Sequence, residues 1–432
     1  MRLLVFGSGV SGRGAARLAA RLGHRVTVYD QEAIDPTDLL DVGAGLVAGA
    51  WDGALLEGVD LVVVSPGFSE RSLPVVETLE RGVPVWSEIE FAWRQIEHIP
   101  VIAVTGTNGK TTVTEAVASM LAASGLRAPA AGNIGTALSD IVAEPFDVAV
   151  VEVSSFQLRF IERFHPRAAA LLNLAVDHLD WHGSPQAYAA AKARIFERQE
   201  PDDMLVFDCD DPGAVGAVAR APSRLHPVSG RHLPPGGSGV ADGVIRFADH
   251  GLSVGGLPTR DPARLVDLVA AGVLSLELGA APEAVTEVIL THENGSHRRT
   301  IIGSIGGVDF VDDSKATNPH AALAAIEAFP SVVLIAGGMA KGLDVSPLAA
   351  GSTVKAVVAI GESAHVLLAT AGAKGHPAST MDEAVQTAHA LARPGDTVLL
   401  APGAASFDQY ESYAARGEAF TDAFERLRGG EL

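Results

Sequence analysis

Short apolar runs alternate with amphipathic stretches along almost the whole chain of 432 residues. An apolar run of roughly four to seven residues, bounded by turn-forming residues, is typical of a strand buried on both faces of a sheet. The runs that predict strands occupy residues 3–6, 26–29, 61–65, 101–106, 148–154, 169–174, 332–338, 356–361 and 397–403. Because amphipathic helical stretches separate them, the pattern predicts parallel sheets covered by helices on both faces.

The series of strands and helices restarts twice, which predicts separate sheets and therefore three α/β domains. The first boundary is expected near residues 94–100, and the second between the segment 289–300 and the strand-like run at 308–313. Residues 226–243 are rich in glycine, proline and serine, so we expect an irregular insertion there within the middle domain.

Composition and charge narrow the class of protein. The chain has 52 acidic and 32 basic residues, a formal net charge of −20, so nucleic acid and anionic membranes are poor partners. Cys209 is the single cysteine, which excludes an intramolecular disulfide. No apolar stretch approaches the roughly 18 residues of a membrane span, and the first residues lack the pattern of a secretory leader. We therefore expect a cytoplasmic globular protein without membrane insertion.

A glycine-rich turn at residues 106–112 carries the strongest chemical signal. It follows an apolar strand and opens a helix, so its backbone N–H groups and the positive helix N-terminus can surround phosphate oxygens. Lys110 is expected to reach the β- and γ-phosphates of ATP, and the Thr111 hydroxyl to ligate Mg²⁺. Val104 stands where the usual P-loop pattern has its first glycine, so this loop is a shorter variant.

Polar residues after the neighbouring strands predict a metal site beside this loop. Glu152 lies near the end of a buried strand, where a carboxylate is costly unless it meets a cation. Asp177, His178 and Asp180 follow the next strand, at the edge of an open α/β sheet where ligands bind. Together with the phosphate loop they indicate a metal–nucleotide site.

A second glycine-rich turn, from Gly7 to Gly12, fits the pattern GxGxxG, and Asp30 ends the next predicted strand. This is the dinucleotide-binding fingerprint, in which the acidic residue binds a ribose hydroxyl. Taken alone, it predicts an NAD-dependent dehydrogenase. The pattern requires only a diphosphate and a ribose, so a UDP-linked sugar would satisfy it equally well.

The ordered set of motifs resembles the Mur ligases of peptidoglycan synthesis, most closely those that add D-glutamate. The motifs that carry the resemblance span nearly the whole chain: GSGVSG (7–12), SPGF (65–68), GTNGKTT (106–112), GNIG (132–135), VEVSSFQL (151–158), DHLDWH (177–182), AAKARI (190–195), HRR (297–299), DDSKATNPHAA (312–322), GGMAKG (337–342) and APGAASFDQYESYAARGEAF (401–420). The implied activity is ATP-dependent ligation of D-glutamate to UDP-N-acetylmuramoyl-L-alanine through an acyl phosphate.

The same resemblance implies a fold of three domains. These are a Rossmann-like UDP-binding domain at residues 1–97, a central P-loop-type ATPase domain at 98–296, and a Rossmann-like α/β domain for the amino acid at 297–432. The positions matching the UDP-substrate contacts are Val10, Ser11, Asp30, Gly67 and, nearer the sugar, Asn133. Those matching the ATP contacts are Gly106, Thr107, Asn108, Gly109, Lys110, Thr111, Thr112, Asp267, Arg298 and Asp313. Asp267 stands in for an asparagine of the HNxxN motif that the family usually has.

The resemblance also implies catalytic roles for four residues: Lys110, Glu152, His178 and Lys192. Two Mg²⁺ ions are expected, held by Thr111, Glu152, His178 and a Lys192 that has reacted with CO₂ to form a carbamate. The positions that match the D-glutamate pocket are Thr317, Lys341, Ser406 and Tyr413, with Lys315 in the same loop as Thr317. We expect a monomer whose C-terminal domain closes to assemble the site.

Other functions stay open at this point. A sister ligase that adds L-alanine or a diamino acid would share most of the motifs, and L-glutamate could replace its enantiomer. From other classes, an NAD-dependent dehydrogenase rests on the first glycine loop alone. A non-catalytic nucleotide-binding module would leave Lys110, Glu152, His178 and Lys192 without a reason to occur together.

Overall fold

The computed structural model describes residues 1–257, 259, 261–293 and 295–432, apart from the side chains of Asp180 and Ala248. The described strands form three sheets, so the prediction of three α/β domains is confirmed. By packing, the chain divides into two compact units: residues 1–174 with 186–292, and residues 175–185 with 293–432. The first unit contains the first two sheets, and the second unit contains the third.

The first sheet has the strands Arg2–Phe6 (β1), Arg25–Asp30 (β2), Gly45–Ala48 (β3), Leu61–Val64 (β4) and Val85–Ser87 (β5). Their order is β3-β2-β1-β4-β5, and every pairing is parallel. The helices of this region are Val10–Arg21 (α1), Thr37–Asp41 (α2), Leu73–Glu80 (α3) and Glu88–Trp93 (α4). This order places the first glycine loop at the carboxyl end of the central strand β1, where ligands of open parallel sheets bind.

The middle sheet has the strands Val101–Thr105 (β6), Ala130–Gly132 (β7), Ala149–Glu152 (β8), Ala168–Leu171 (β9), Met204–Asp208 (β10), Arg224–Ser229 (β11), Ser238–Ala241 (β12), Val244–Phe247 (β13) and Leu252–Val254 (β14). Their order is β14-β13-β12-β11-β10-β9-β6-β8-β7. The helices along residues 110–291 are Lys110–Ala123 (α5), Leu138–Ile141 (α6), Ser155–Arg159 (α7), Leu179–His182 (α8), Pro185–Ala193 (α9), Pro212–Val218 (α10), Pro262–Glu277 (α11) and Pro282–Thr291 (α12). The second glycine loop thus follows β6, between β9 and β8.

The irregular insertion expected at residues 226–243 is corrected in part, because β11 and β12 occupy residues 226–229 and 238–241, and the irregular segment between the two strands is limited to residues 230–237. Strand β12 pairs parallel to β11, and β13 and β14 then continue the sheet as antiparallel neighbours. The glycines serve close packing here: a Cβ atom on Gly237 would overlap the carbonyl oxygen of Pro227, and one on Gly239 would overlap that of His232. These residues therefore join β11 to β12 inside the sheet, and glycine is typical of positions where two backbones approach so closely.

The third sheet has the strands Thr300–Ile305 (β15), Val308–Asp312 (β16), Val332–Gly337 (β17), Val354–Ile360 (β18), Gly375–Pro377 (β19) and Thr397–Leu400 (β20). Their order is β15-β16-β20-β17-β18-β19, and β15 alone among these strands pairs antiparallel. The helices of this region are Pro319–Glu327 (α13), Ser346–Ala349 (α14), Ala364–Ala371 (α15), Met381–Leu391 (α16) and Tyr413–Gly429 (α17).

Strand β17 shows why the apolar runs predict these sheets. Val332, Leu334 and Ala336 belong to one buried apolar cluster, whereas Val333 and Ile335 belong to the cluster on the opposite face. A strand with helices on both sides must be apolar at every position, so its sequence has no polar alternation. None of the described helices has the length and apolar character required to cross a membrane.

Helices α1, α4 and α6 pack together where the first sheet meets the middle one. Arg17 on α1 forms an ion pair with Asp140 on α6, with Nη2 and Oδ1 2.8 Å apart. On α4, the buried carboxylate of Glu88 accepts a hydrogen bond of 2.6 Å from the Ser139 N–H. Burial raises the pKa of Glu88 to about 7, although this hydrogen bond opposes the change.

We expect Glu88→Gln to stabilise the protein at pH 8 and to leave its stability at pH 5 nearly unchanged. Because the pKa of Glu88 is higher in the folded chain than the ordinary 4.5, its contribution to stability is complete below that pH and is lost as the pH rises through about 7. The loss amounts to roughly 3 kcal/mol. Glutamine has the same shape and cannot ionise, so the melting temperature should rise by about 5 °C at pH 8.

Thermal unfolding of both proteins at the two pH values measures this effect. An equal difference between variant and wild type at both pH values would contradict the prediction.

Candidate active site

The first glycine loop joins β1 to α1 and is held by Asp30 at the end of β2. Asp30 Oδ2 accepts hydrogen bonds of 2.7 Å from both the backbone N–H and the hydroxyl of Ser8. Burial alone would raise the pKa of Asp30, but the hydrogen bonds from Ser8 outweigh it and lower the pKa. Asp30 is therefore a carboxylate at neutral pH, and it fixes the loop in front of the N-terminus of α1.

A cavity of about 480 Å³ opens at this loop. Its lining includes four of the residues predicted to bind a UDP group, namely Val10, Ser11, Asp30 and Gly67. Ser65 also lines it, and its buried hydroxyl has no hydrogen-bond partner within the described part of the chain. The start of α1 carries no side-chain cap, so the first-turn N–H groups can bind an anion in this cavity.

The second glycine loop leads from β6 into α5, which begins at Lys110. Gly109 has a left-handed φ of 82°, and a Cβ atom there would overlap the carboxylate of Asp267 on α11. Glycine is therefore required at this position both by conformation and by space. The ammonium of Lys110 donates to the carbonyl oxygens of Gly106 and Thr107 at 3.0 and 2.9 Å.

Asn173, just after β9, holds this loop from the side. Its carbonyl oxygen accepts from the Thr107 N–H at 2.9 Å, and its side-chain oxygen accepts from the Asn108 N–H at 2.8 Å. Its side-chain nitrogen donates to the Asn108 carbonyl oxygen at 3.2 Å. Asn173 was not among the predicted site residues. The feature that could have indicated it is an asparagine directly after the apolar strand β9, which pairs with β6.

Lys192 on α9 is almost fully buried, with 1% of its surface exposed. Its Nζ donates to the Gly106 carbonyl oxygen at 2.7 Å and lies 3.4 Å from the Thr105 hydroxyl. The neighbouring Tyr188 places its ring 4.8 Å from this nitrogen and its hydroxyl 3.1 Å from that of Thr107. The two lysines predicted as catalytic, Lys110 and Lys192, thus meet at the carbonyl of Gly106.

Glu152 ends β8 in register with Val104, two residues before the loop. It is 2% exposed, and its Oε1 accepts a hydrogen bond of 2.8 Å from the Asn133 side chain. Its Oε2 is buried and has no partner among the described residues. A buried carboxylate oxygen without a donor fits a hard cation such as Mg²⁺, which prefers oxygen ligands. The residues present therefore fit the metal that the sequence predicts, with Thr111 in the first turn of α5.

His178 and Asp177 lie in the second compact unit, since residues 175–185 group with the C-terminal part of the chain. Asp177 Oδ2 accepts from the Asn318 side chain at 3.4 Å and lies 3.8 Å from His178 Nε2. His178 has a left-handed backbone with a φ of 50°, which costs energy in a residue other than glycine. The side chain of Asp180 lies outside the described residues.

Asp313 follows β16 and is nearly fully buried. Its Oδ1 accepts from the Arg299 N–H at 3.2 Å, and its Oδ2 lies 3.9 Å from the Arg299 guanidinium. Burial raises the pKa of Asp313 to about 6, and the charges of Arg299 and Arg298 act against this rise. Arg298 was predicted as a site residue and Arg299 was not, although both belong to the same HRR motif.

Three loops at the carboxyl edge of the third sheet carry the predicted amino-acid pocket. Met339 and Ala405 exchange hydrogen bonds of 2.9 and 3.0 Å, which joins the loop after β17 to the loop after β20. The Gly403 N–H donates to Ala316 O at 2.9 Å, which adds the loop after β16. The structure thereby brings together the loops that hold Thr317, Lys341 and Ser406.

Tyr413 begins α17 and contacts the same group of loops. The Lys315 ammonium lies 3.8 Å from the centre of its ring, and the ring of His297 stands edge-on at 6.3 Å. The Ser314 hydroxyl donates to the Tyr413 carbonyl oxygen at 2.8 Å, and buried Arg416 donates to Ser314. The Tyr413 ring holds the positive charge of Lys315 near these loops, and such a charge can bind a carboxylate of a substrate that has two of them.

Comparison with known sequences matches three family profiles along this chain. Residues 1–87 match the Mur ligase MurD-like N-terminal domain, residues 104–229 the Mur ligase middle domain, and residues 297–404 the Mur ligase glutamate ligase domain. A UDP-N-acetylmuramoylalanine–D-glutamate ligase of Frankia casuarinae is 42% identical, covering 99% of this chain and 94% of that protein. The enzyme of the same name from Shouchella clausii is 40% identical, covering 98% and 96%.

Solved structures match the fold over nearly the whole chain. A MurF ligase from Thermotoga maritima in complex with ADP has a TM-score of 0.63 at 18% identity, covering 94% of this chain and 96% of that one. A pseudomurein peptide ligase type C from Methanothermus fervidus has a TM-score of 0.63 at 17% identity, covering 99% of each chain. At this level of identity the likeness concerns the architecture alone.

Proposed function

The chain belongs to the Mur ligase family, and from this membership we propose that it joins D-glutamate to UDP-N-acetylmuramoyl-L-alanine, with conversion of ATP to ADP and phosphate. The observation that carries the proposal is the arrangement at β6 and β8. Lys110 and Lys192 meet at one phosphate loop, and the carboxylate of Glu152 offers an unpartnered oxygen one strand away. A dehydrogenase would leave this whole arrangement without a role.

The two glycine loops take different phosphorylated substrates. The diphosphate of the UDP substrate lies against the loop before α1. Val10, Ser11, Asp30 and Gly67 together contact its uracil and diphosphate groups, and Asn133 lies nearer the sugar. The phosphates of ATP lie in residues 106–112, and Arg298 and Asp313 match the positions that contact the phosphates and ribose of ATP in the family. Asp267, which packs against Gly109, contacts the nucleotide from α11.

The reaction needs an activated carboxyl group, because a carboxylate is a poor electrophile. An oxygen of the L-alanine carboxylate attacks the γ-phosphorus of ATP, ADP leaves, and an acyl phosphate forms. The amine of D-glutamate then attacks the acyl carbon, loses one proton, and expels inorganic phosphate to form the amide. Lys110 places its charge beside the transferring phosphoryl group and so stabilises the negative charge that develops there.

Mg²⁺ supplies charge neutralisation of the phosphates when bound, and Thr111, Glu152, His178 and Lys192 are the residues that would hold it in two sites. A carbamate on Lys192 retains one N–H, which suits the 2.7 Å hydrogen bond to the Gly106 carbonyl oxygen. Carbamylation would also turn this buried cation into an oxygen ligand that a metal ion prefers.

The amino-acid substrate lies at the carboxyl edge of the third sheet. D-Glutamate is bound by Thr317, Lys341, Ser406 and Tyr413. The Lys341 ammonium, which lies 5.3 Å from the ring centre of Phe407, pairs with one carboxylate of D-glutamate. The chain acts as a cytoplasmic monomer without nucleic-acid or membrane partners, in keeping with its net charge of −20.

Phosphate release from ATP tests the proposal. The purified chain is incubated with Mg²⁺, UDP-N-acetylmuramoyl-L-alanine and one of D-glutamate, L-glutamate, L-alanine or meso-diaminopimelate. Release that depends on D-glutamate alone supports the assignment. Release with another amino acid would contradict the assigned pocket, and no release with any of them would contradict the ligase function.

A further inference from the structure

Three side chains with different ligand atoms meet at the carboxyl end of β10, outside the site described above. The thiol of Cys209, a carboxylate oxygen of Asp210 and a ring nitrogen of His232 all lie within 4.8 Å of one another. Cys209 and Asp210 directly follow β10, whereas His232 follows β11, so two separate segments contribute. The proposed ligase reaction assigns no role to these three residues.

Ser229 holds the cluster together at the end of β11. Its hydroxyl donates to Asp210 Oδ2 at 2.6 Å and lies 3.1 Å from His232 Nδ1. His232 Nδ1 is in turn 3.5 Å from Asp210 Oδ1. On the other segment, the Cys209 N–H donates to the carbonyl oxygen of Val228 at 3.0 Å, which fixes the strand end that carries the thiol.

The backbone of His232 is fixed as firmly as that of Cys209. Its N–H donates to the Ser229 hydroxyl at 3.1 Å, and its carbonyl oxygen accepts from the Val240 N–H at 3.2 Å. Gly239 packs so closely on this carbonyl that a Cβ atom there would overlap it. The imidazole therefore belongs to a turn tied to β12, and the three ligand groups are already gathered in the folded chain.

We propose that Cys209, Asp210 and His232 form a binding site for a divalent transition-metal ion, with Zn²⁺ preferred. A thiolate, an imidazole and a carboxylate together are the ligands of Zn²⁺ rather than of Mg²⁺, which prefers oxygen alone. Three protein ligands leave one position of a tetrahedral ion for water, and the half-exposed His232 gives access from solvent.

The groups beside Cys209 suit a cation. Asp208 and Asp210 are its neighbours in the chain, and Asp210 lies close enough to the thiol to supply a ligand oxygen. Binding of a metal ion to a thiol releases the thiol proton, so the bound ligand is the thiolate.

An ion at this site would join the end of β10 to the turn after β11. Because Leu174, after β9, donates its N–H to the Asp211 side chain at 3.1 Å, the stabilised region extends to the segment after β9 that carries Asn173. Zn²⁺ at about a hundredfold excess over its Kd should therefore raise the melting temperature by about 5 °C.

The experiment uses Co²⁺ as a spectroscopic probe on the full chain after dialysis against a chelator. We expect one thiolate-bound Co²⁺ per chain, with a thiolate-to-cobalt absorption band in the near ultraviolet that Zn²⁺ abolishes and millimolar Mg²⁺ leaves in place. Cys209→Ser should remove the band, and His232→Ala should weaken binding by about 100-fold or more. His365→Ala, which changes an exposed histidine on α15, should behave as wild type.

Far-ultraviolet circular dichroism shows that each variant is folded before its spectrum is compared. Protection of the thiol from a thiol-reactive dye by Zn²⁺ gives a second readout in the wild-type chain itself. A cobalt spectrum without the band, or dye labelling that Zn²⁺ does not slow, would overturn the proposal. Neither result depends on ligase activity, so the two proposals fail separately.

Discussion

Replacement of Lys110 by alanine is expected to lower kcat by about 10³-fold or more while the protein stays folded. The Lys110 ammonium donates to Gly106 O and Thr107 O at 3.0 and 2.9 Å, so its charge is held at the loop that takes the phosphates of ATP. A cation that stabilises charge on a transferring phosphoryl group contributes to the transition state far more than to the ground state. The loss should therefore be visible at saturating substrate, in the rate of phosphate release.

Lys374→Ala is the matched control for this variant. Lys374 also donates its ammonium to a backbone carbonyl, that of Val354, but it follows α15 in the C-terminal unit. Its removal deletes the same charge from the chain and should leave kcat unchanged. A kcat for Lys110→Ala within tenfold of wild type would show that the charge of Lys110 is not used in phosphoryl transfer.

Glu152→Gln is expected to lower kcat by about 10²-fold or more and to raise the Mg²⁺ concentration that supports half-maximal activity. Glutamine can still accept the hydrogen bond from Asn133 through its side-chain oxygen, so the local structure is retained. What disappears is the negative charge at the partnerless oxygen. A Mg²⁺ titration of phosphate release measures both effects.

Stability without Mg²⁺ distinguishes this role from a structural one. A buried carboxylate oxygen without a donor destabilises the fold, so the glutamine variant should melt no lower than wild type in the absence of Mg²⁺. Glu144→Gln, at an exposed position, is the control and should change neither kcat nor the Mg²⁺ requirement. Unaltered Mg²⁺ dependence in Glu152→Gln would exclude Glu152 as a metal ligand.

The central strands were predictable because each is buried on both faces. Residues 332–336 of β17 alternate between the two apolar clusters, and the sequence therefore shows an unbroken apolar run. Strand β12 was not predictable in this way, since its glycine-rich sequence has the composition of a turn. It is a strand because it forms hydrogen bonds with β11 and β13, and these pairings depend on the folded sheet and not on the local sequence.

The sequence predicted which types of residue form the site, but it did not predict several of the contacts between them. Lys110 and Glu152 were predictable from the sequence, because Lys110 follows the glycine loop after one apolar strand and Glu152 ends another. The burial of Lys192 depends instead on α9 packing beside the carbonyl of Gly106, which no local pattern encodes. Similarly, Asn173 is an ordinary loop residue by composition, and its role follows only from how β9 lies next to β6.

The hydrogen bonds of Asn173 fix the second glycine loop before a nucleotide binds. Loops of this kind often become ordered only when a ligand arrives, and the entropy lost then reduces the affinity. Here the amides of Thr107 and Asn108 already have partners, so they should exchange slowly with deuterated solvent before any nucleotide is added. Because the loop is already ordered, ATP binding does not have to offset the entropy of ordering it. More of the binding free energy can therefore contribute to aligning the terminal phosphate.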